Sequence, residues 1–335
     1  MIDSSTDFYS FKSGIQVKPY KELMIGEKYS TDAFLTVIIT TYNRLVLLQE
    51  AIESALNQRG DLKYNILVVD NCSSCYLSNY MLDKYRKKNI RIVRNEENLG
   101  MFGNMNQGAA LAKTKYICFL HDDDLYCPEF VESVASILNL KSWIKALHVG
   151  VACKQKDGSL HNYILSNHLS ANKSKDYSLI FRGPGAPTGL IVDREAFIYY
   201  GGYNTDYYPT SDYCFACLFA HYENYYKCAK TLCVYRLEDN ASLREETLTS
   251  FVYNDCFLHD FIMKQYNIPK FIRAKILGFL VDDQEKMLRE KYNSHFSFRL
   301  RNTLDIDKGV FKFSYLVLRF FIEVYFRVFS FLHQR

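Results

Sequence analysis

Four short apolar runs constrain the fold of this chain more than any other feature. Leu35-Thr-Val-Ile-Ile-Thr40, Asn65-Ile-Leu-Val-Val-Asp70, Ile90-Arg-Ile-Val-Arg94 and Lys115-Tyr-Ile-Cys-Phe-Leu120 have the length and β-branched content of strands. Each ends in a polar cluster: Thr41-Tyr42-Asn43-Arg44, Asn71-Cys72-Ser73-Ser74, Asn95-Glu-Glu-Asn98-Leu-Gly100 and His121-Asp122-Asp123-Asp124. Between them lie segments of helical spacing: Leu48, Ile52, Ala55 and Leu56 on one face, then Tyr76–Lys88 and Asn104–Ala112. Strand and helix alternating in this way predict an α/β chain with a mostly parallel central sheet and helices on both faces. Ligands of such sheets bind beyond the carboxyl ends of the strands, which is where all four polar clusters fall.

Composition narrows the class. The chain has 335 residues, 48% hydrophobic and 23% charged, enough to bury a sizeable core and unlike a disordered or low-complexity protein. A formal net charge of +4 argues against a dedicated nucleic-acid binder. That charge is uneven: Met263 to Arg335 hold 14 Lys and Arg against 7 Asp and Glu, so a basic, aromatic tail follows a slightly acidic body. Such a tail suits an anionic surface. The first 30 residues lack the apolar core of a secretory signal, so the ten cysteines are expected to be reduced, apolar fillers. Cys72-x-x-Cys75 and Cys214-x-x-Cys217 superficially resemble a zinc site, but Tyr213–Ala220 reads as a buried helix face and neither pair has the flanks of a zinc knuckle. His148, His161, His168, His221 and His259 show no partner spacing, and the sequons at Asn71, Asn172 and Asn240 read as chance matches.

The Asp122-Asp123-Asp124 triplet carries chemistry. Adjacent carboxylates repel unless a cation neutralises them. Mg²⁺ or Mn²⁺ takes carboxylate oxygens and commonly shares them with substrate phosphates. The bland alternative is a solvated turn, or Asp124 capping a helix near Pro128. The neighbouring Asp70 and the Thr40–Asn43 turn on the same sheet edge favour the metal.

Taken in order, Val37-Ile-Ile-Thr-Thr-Tyr-Asn-Arg44, Val68-Val-Asp-Asn-Cys-Ser73, Glu97-Asn-Leu-Gly100 with Asn106-Gln-Gly108, and Phe119-Leu-His-Asp-Asp-Asp-Leu125 before Pro128 resemble a family 2 glycosyltransferase of the GT-A fold, over roughly residues 35–240. The resemblance implies a donor-binding set of Thr40, Tyr42, Arg44, Asp70, Asn71, Asn98, Gly100, Asp122, Asp124 and Arg236. Tyr42 would stack on uracil, and Asp70 or Asn71 would bond its edge. Asp122, Asp123 and Asp124 would hold the metal on the diphosphate. His121 stands where many members have an Asp, Asn71 where many have a second Asp, and Met105 where many have an Arg. Farther on, Gly183-Pro-Gly-Ala-Pro-Thr-Gly189 is a loop, Leu190-Ile-Val a strand, and Glu195–Tyr200 a helix stopped by Gly201-Gly202. Asp212, after Tyr208-Pro-Thr-Ser, matches the family's catalytic base, with Ser211 in place of the usual Glu. A helix N-cap is a compatible structural role for Ser211 or Asp212. Asn240 and Ser242 resemble a closing loop, and Arg236 or Arg244 would reach the diphosphate.

The resemblance divides the chain into an N-terminal extension (1–33), read as polar and irregular, a GT-A domain (34–245) and a helical C-terminal region (246–335). Within the last, 311–332 reads as an amphipathic helix at a membrane interface. Lys312, Arg319, Glu323 and Arg327 share about one quarter of its wheel. Docking on the enzyme's own core or on a second subunit is the alternative. The expectation is an inverting enzyme dependent on Mn²⁺ or Mg²⁺, peripheral at the cytoplasmic face of a bacterial inner membrane. It would move a hexose, UDP-Glc or UDP-Gal favoured, to a lipid-diphosphate-linked sugar such as GlcNAc-diphosphoundecaprenol, forming a β-linkage in O-antigen or capsule synthesis. A nucleotidyl- or phosphotransferase would want a Gly-rich phosphate loop, and Thr40–Arg44 has no glycine. A non-catalytic membrane-docking module would have lost its carboxylates.

Overall fold

The computed structural model describes residues 2–74, 79–155, 157–161, 169–237, 244–292 and 312–332. Among the described residues eleven strands form one sheet: β1 (Tyr20–Ile25), β2 (Leu35–Thr41), β3 (Tyr64–Asp70), β4 (Ile90–Asn95), β5 (Tyr116–His121), β6 (Leu125–Tyr126), β7 (Ala146–Lys154), β8 (Leu160–His161), β9 (Ala171–Lys173), β10 (Leu190–Asp193) and β11 (Tyr225–Arg236). The main path runs β1-β4-β3-β2-β5-β10-β7-β11-β6. The four runs recognised in the sequence form its parallel block, β4-β3-β2-β5. The sheet as a whole is mixed rather than mostly parallel, because β10 runs antiparallel to both β5 and β7, and β1 and β6 close the two edges antiparallel. Register aligns Thr40 with Val69 and His121, and Thr41 with Asp70, so the polar strand ends lie in one row.

Alternation along the central strands feeds two cores. Val37, Ile39, Ile66, Val68 and Leu120 face α1 (Leu45–Leu56), α2 (Asn79–Tyr85) and α4 (Phe130–Leu140). Ile38, Leu67, Val69, Ile117 and Phe119 face the other side. There α3 (Gly100–Leu111), α5 (Asp176–Arg182), α6 (Arg194–Tyr199), α7 (Ser211–Tyr222), α8 (Glu245–Gln265) and α9 (Lys270–Tyr292) pack, with α10 (Lys312–Leu332) outermost. Gly108 permits the close seat of α3, since a Cβ there would lie 2.3 Å from Ile38 Cγ2.

The N-terminal segment is not wholly irregular. β1 pairs with β4, and Phe8 and Tyr9 are buried in the α7–α8 side of the core. An edge strand with both faces largely exposed shows no clean alternation, which is why its sequence reads as loop. Buried Asp176 ties this arm to three helices. It accepts hydrogen bonds from the Tyr9 hydroxyl, the Tyr266 hydroxyl at 2.7 Å, His221 Nδ1 at 3.0 Å and the Tyr177 backbone N–H at 2.8 Å.

The C-terminal helix α10 is two-sided. Tyr315, Ile322 and Phe326 are buried, with Phe326 against Tyr177 and Tyr266 and Tyr315 stacked on Phe279 at 3.9 Å. Phe320 (64% exposed), Phe321 (63%), Leu316 and Val324 point outward. Arg319 pairs with Glu323 at 2.9 Å and lies 5.4 Å from the Phe181 ring, so these charges sit half-buried at the flank instead of forming a water-facing stripe. The side chains of Lys312 and Arg327 lie outside the described residues. Among the described residues no helix is long and apolar enough to cross a membrane.

Burial pushes the Asp176 carboxyl up, but the hydrogen bonds from His221, Tyr9 and Tyr266 outweigh it and hold the group below the ordinary range. Its stabilising contribution is therefore present above the pKa of an unfolded Asp and is lost as pH falls through the folded value. Asp176→Ala should destabilise the fold by about 3 kcal/mol or more, measured by denaturant unfolding at neutral pH, because it strands several buried donors. The gap between variant and wild type should shrink under strongly acid conditions.

Candidate donor-binding and catalytic site

A cavity of about 530 Å³ opens at the carboxyl edge of the parallel block, with Thr40, Tyr42, Arg44, Asn71, Asn98, Gly100, His121, Asp122, Asp123 and Asp212 in its wall. Its floor is built by the turns after β2, β3 and β5. Asn43 adopts a positive φ of 57°, and its backbone N–H donates to Ser73 Oγ at 2.9 Å while its side chain accepts from the Ser74 N–H at 2.7 Å. The β2 and β3 turns are thus braced on each other.

The acidic triplet divides. Asp122 Oδ2 accepts from Thr41 Oγ1 at 2.8 Å and from the Tyr42 N–H at 3.3 Å. Asp123 Oδ2 accepts from the Arg44 guanidinium at 2.5 Å, and the same nitrogen lies 3.6 Å from Asp122 Oδ1. Burial pushes Asp122 up to about 6; the Thr41 bond opposes this and the Asp123 charge adds to it. Asp124 leaves the cavity. The chain turns at His121–Asp124, with the Asp124 N–H donating to the His121 carbonyl at 3.1 Å, and the Asp124 carboxyl is buried, accepting from the Arg236 N–H at 3.2 Å. Burial pushes it well above the ordinary range. It therefore stands behind the turn, neither beside the other two nor capping α4, whose N-cap position is Glu129.

Arg236 also works from behind. Its guanidinium donates to the Asp123 and Asp122 carbonyls and pairs with Glu50. It fastens the backbone of the acidic turn and is not in the cavity wall. Asp70 is buried too, accepting from Ser73 N–H and Oγ (3.1 and 2.5 Å) and from Arg94 at 3.2 Å. Asn71 lines the cavity with its amide in use: Oδ1 accepts from the Leu99 N–H at 2.9 Å and from Asn95 at 3.2 Å, and Nδ2 donates to Asn98 Oδ1 at 2.8 Å and to the Gly100 carbonyl at 3.2 Å. Asn95 in turn bonds Asn104 at 2.8 Å, and Asn104 bonds the Val69 carbonyl at 3.0 Å. This asparagine lattice, with Arg94 and Glu50, escaped the sequence reading; the asparagines that follow the strand ends are the signal that would have found it.

Tyr42 is 47% exposed at the rim, a ring free to meet a planar base. Burial lowers the proton affinity of His121, which stays neutral and lies 3.4 Å from Thr40 Oγ1. Met105 is packed in the core. Arg244 is exposed at the start of α8, and Asn240, Ser242 and Cys75 lie outside the described residues. Cys214 and Cys217 are buried in α7.

Asp212 lies in the first turn of α7, with Thr210 at the N-cap, and burial pushes its carboxyl up to about 6. Pro187, Pro209, Tyr235 and Phe251 complete that part of the wall. Phe251, from α8, carries no motif and was not anticipated. The arrangement thus presents two carboxylates beside an arginine, an aromatic ring and a third carboxylate to one volume. Among the described residues no cluster of three His, Cys, Asp or Glu converges on a common point.

Comparison with known proteins accords with this geometry. Residues 36–183 match the model of glycosyl transferase family 2. An uncharacterized glycosyltransferase of Haemophilus influenzae is 25% identical over 54% of this chain and 60% of its own length, and a second from that organism is 27% identical over 66% and 68%. A Campylobacter jejuni protein named GalNAc(5)-diNAcBac-PP-undecaprenol beta-1,3-glucosyltransferase is 32% identical over 38% of this chain and 40% of its own. The chain thus spans between 40% and 68% of the length of these relatives. In fold it is similar to S. aureus TarS 1-349, with a TM-score of 0.56, 15% identity and coverage of 80% and 77% of the two chains. The same protein in complex with UDP-GlcNAc gives a TM-score of 0.53, with coverage of 76% and 83%. Residues 36–183, which carry the acidic turn, are thus similar to the glycosyl transferase family 2 domain, on a GT-A-like fold.

Proposed function

We propose that this enzyme transfers a hexose, with inversion, from a UDP-sugar to a lipid-diphosphate-linked sugar. The observation that carries the reading is the convergence of Tyr42, Asp122, Asp123 and Asp212 on one cavity. Tyr42 stacks on the base. Asp122, oriented by Thr41 and the Tyr42 N–H, and Asp123 form an all-oxygen donor pair that suits Mg²⁺ or Mn²⁺. They carry two charges against one from Arg44, which leaves room for a cation in the electrostatic balance. A bound divalent ion supplies stabilisation of the negative charge on the departing diphosphate. Asp212 takes the proton of the acceptor hydroxyl as its oxygen bonds to the anomeric carbon and the bond from that carbon to the diphosphate breaks. With an α-linked donor, one displacement gives a β-linkage.

The acceptor assignment draws on the Campylobacter relative, whose name specifies a diphosphoundecaprenol substrate, and on the tail. The outward apolar ridge of α10, in a region with twice as many basic as acidic residues, suits a helix seated at an anionic bilayer surface, as expected at the cytoplasmic face of an inner membrane. UDP-Glc or UDP-Gal remains the donor of this proposal, and O-antigen or capsule synthesis its setting.

Asp212→Asn should lower transfer by about 10²–10⁴-fold, as loss of a general base does, while UDP-sugar affinity from calorimetry changes less than about twofold. Full transfer by this variant would remove Asp212 from the role. Chelation should abolish transfer and Mn²⁺ restore it, and Asp123→Ala should raise the Mn²⁺ concentration needed; undiminished turnover in chelator would dismiss the metal. Wild-type kcat should fall as pH drops through about 6, where Asp212 becomes protonated.

Vesicle flotation tests the surface reading. The full chain should bind phosphatidylglycerol vesicles more tightly than neutral ones, and Phe320→Ser with Phe321→Ser should weaken binding by about tenfold or more through lost apolar burial. Equal flotation of wild type and variant would sink it.

A further inference from the structure

The first turn of α7 is surrounded by polar atoms that nothing in the donor chemistry explains. The Tyr203 hydroxyl, Thr210 Oγ1, Ser211 Oγ, the Tyr225 hydroxyl and Asp255 Oδ1 are buried and have no hydrogen-bond partner among the described residues. Buried polar atoms are normally bonded, so such a group calls for an explanation. All five belong to the neighbourhood of Asp212. Thr210 and Ser211 precede it in the chain, and Tyr203, Tyr225 and Asp255 lie within the reach of its charge.

Asp255 is the member with chemistry of its own. It stands one helical turn after Phe251, which lines the cavity, and next to Asn254, whose amide donates at 3.3 Å to the carbonyls of both Tyr207 and Tyr208. That clamp fixes α8 against the segment leading into α7. A second tie, between Tyr213 and His259 at 2.9 Å, joins the residue after Asp212 to the helical turn after Asp255, so both carboxyl groups sit at the α7–α8 contact, where burial disfavours two charges.

We propose that Asp255 is a positioning residue for Asp212: it keeps its proton while Asp212 carries the charge, so that the pair holds a single negative charge aimed at the incoming hydroxyl. The inference rests on the reading of Asp212 as the base. The groups facing Asp212 are Tyr203, Tyr225, Cys214 and Asp255; those facing Asp255 are Asp212, Tyr213, Cys214 and Cys217. Burial pushes each of these tyrosines and thiols up, so they stay neutral. His259, bonded to Tyr213 at 2.9 Å, is driven down to about 4 by burial and is neutral as well. Burial, then the Asp212 charge, pushes Asp255 up to about 8, so below that pH it retains its proton. Above it, a second charge appears beside the base and disturbs it.

The experiment is the pH profile of kcat for UDP release from UDP-hexose in the presence of a diphosphoundecaprenol-linked sugar. Wild type should give a bell with limbs near 6 and 8. Asp255→Asn should keep the acid limb and a KM for UDP-hexose within about twofold of wild type, and lose the alkaline limb. Asp255→Ser, which also cannot ionise, should do the same if the Asn variant misfolds, and Asp255→Glu should restore an alkaline limb. A profile of Asp255→Asn that superimposes on wild type, a wild type without an alkaline limb, or an effect confined to KM would overturn the proposal. The wider reading fails separately: wild type would transfer nothing, or Asp212→Asn would transfer freely.

Discussion

The polar edge of this sheet depends on the solution to one electrostatic problem, the placing of adjacent carboxylates at the end of an apolar strand. Two devices solve it. Arg44, from the turn after β2, meets Asp122 and Asp123 on the cavity side. Arg236, from the far end of β11, grips the peptide carbonyls of the same two residues from behind and is itself balanced by Glu50. The third carboxylate is turned inward on the Arg236 backbone. The turn is therefore held by residues distant in sequence, and its two outward charges remain available to a ligand. Neutralising them outright would have given stability at the expense of chemistry.

The parallel block and the row of polar strand ends could be read directly, because strands buried on both faces leave long apolar runs whose ends are sharp. The mixed half could be read only in part: Leu190-Ile-Val was legible as a strand, but its antiparallel place between β5 and β7 was not. β6 has only two residues, and β11 owes its place to partners on β7, β6 and β9 that periodicity does not reveal. β1 was missed for a related reason, since an exposed edge strand need not alternate.

Within the site, residue types announced the cavity wall more clearly than their division of labour. Tyr42, Asp122, Asp123 and Asp212 line the cavity, whereas Asp124, Asp70 and Arg236 are committed to internal bonds. A local motif gives chemical character and approximate position; whether a side chain faces outward depends on what the opposite strand supplies. The same holds for α10, where helical spacing grouped Arg319 and Glu323 on one sector but did not show that the sector borders Phe181 and the core.

The knot at Asp176 joins pieces that look peripheral to the helix that presents Asp212 to the cavity. Tyr9 comes from the N-terminal arm, Tyr266 from the end of α8, and His221 from the last turn of the helix whose first turn holds Asp212. Severing the arm with a protease would thus leave an anion in the interior short of a donor, at the opposite end of the helix from Asp212. The leading residues are in effect a remote brace, and their loss would be felt some three turns away as slackness at Asp212.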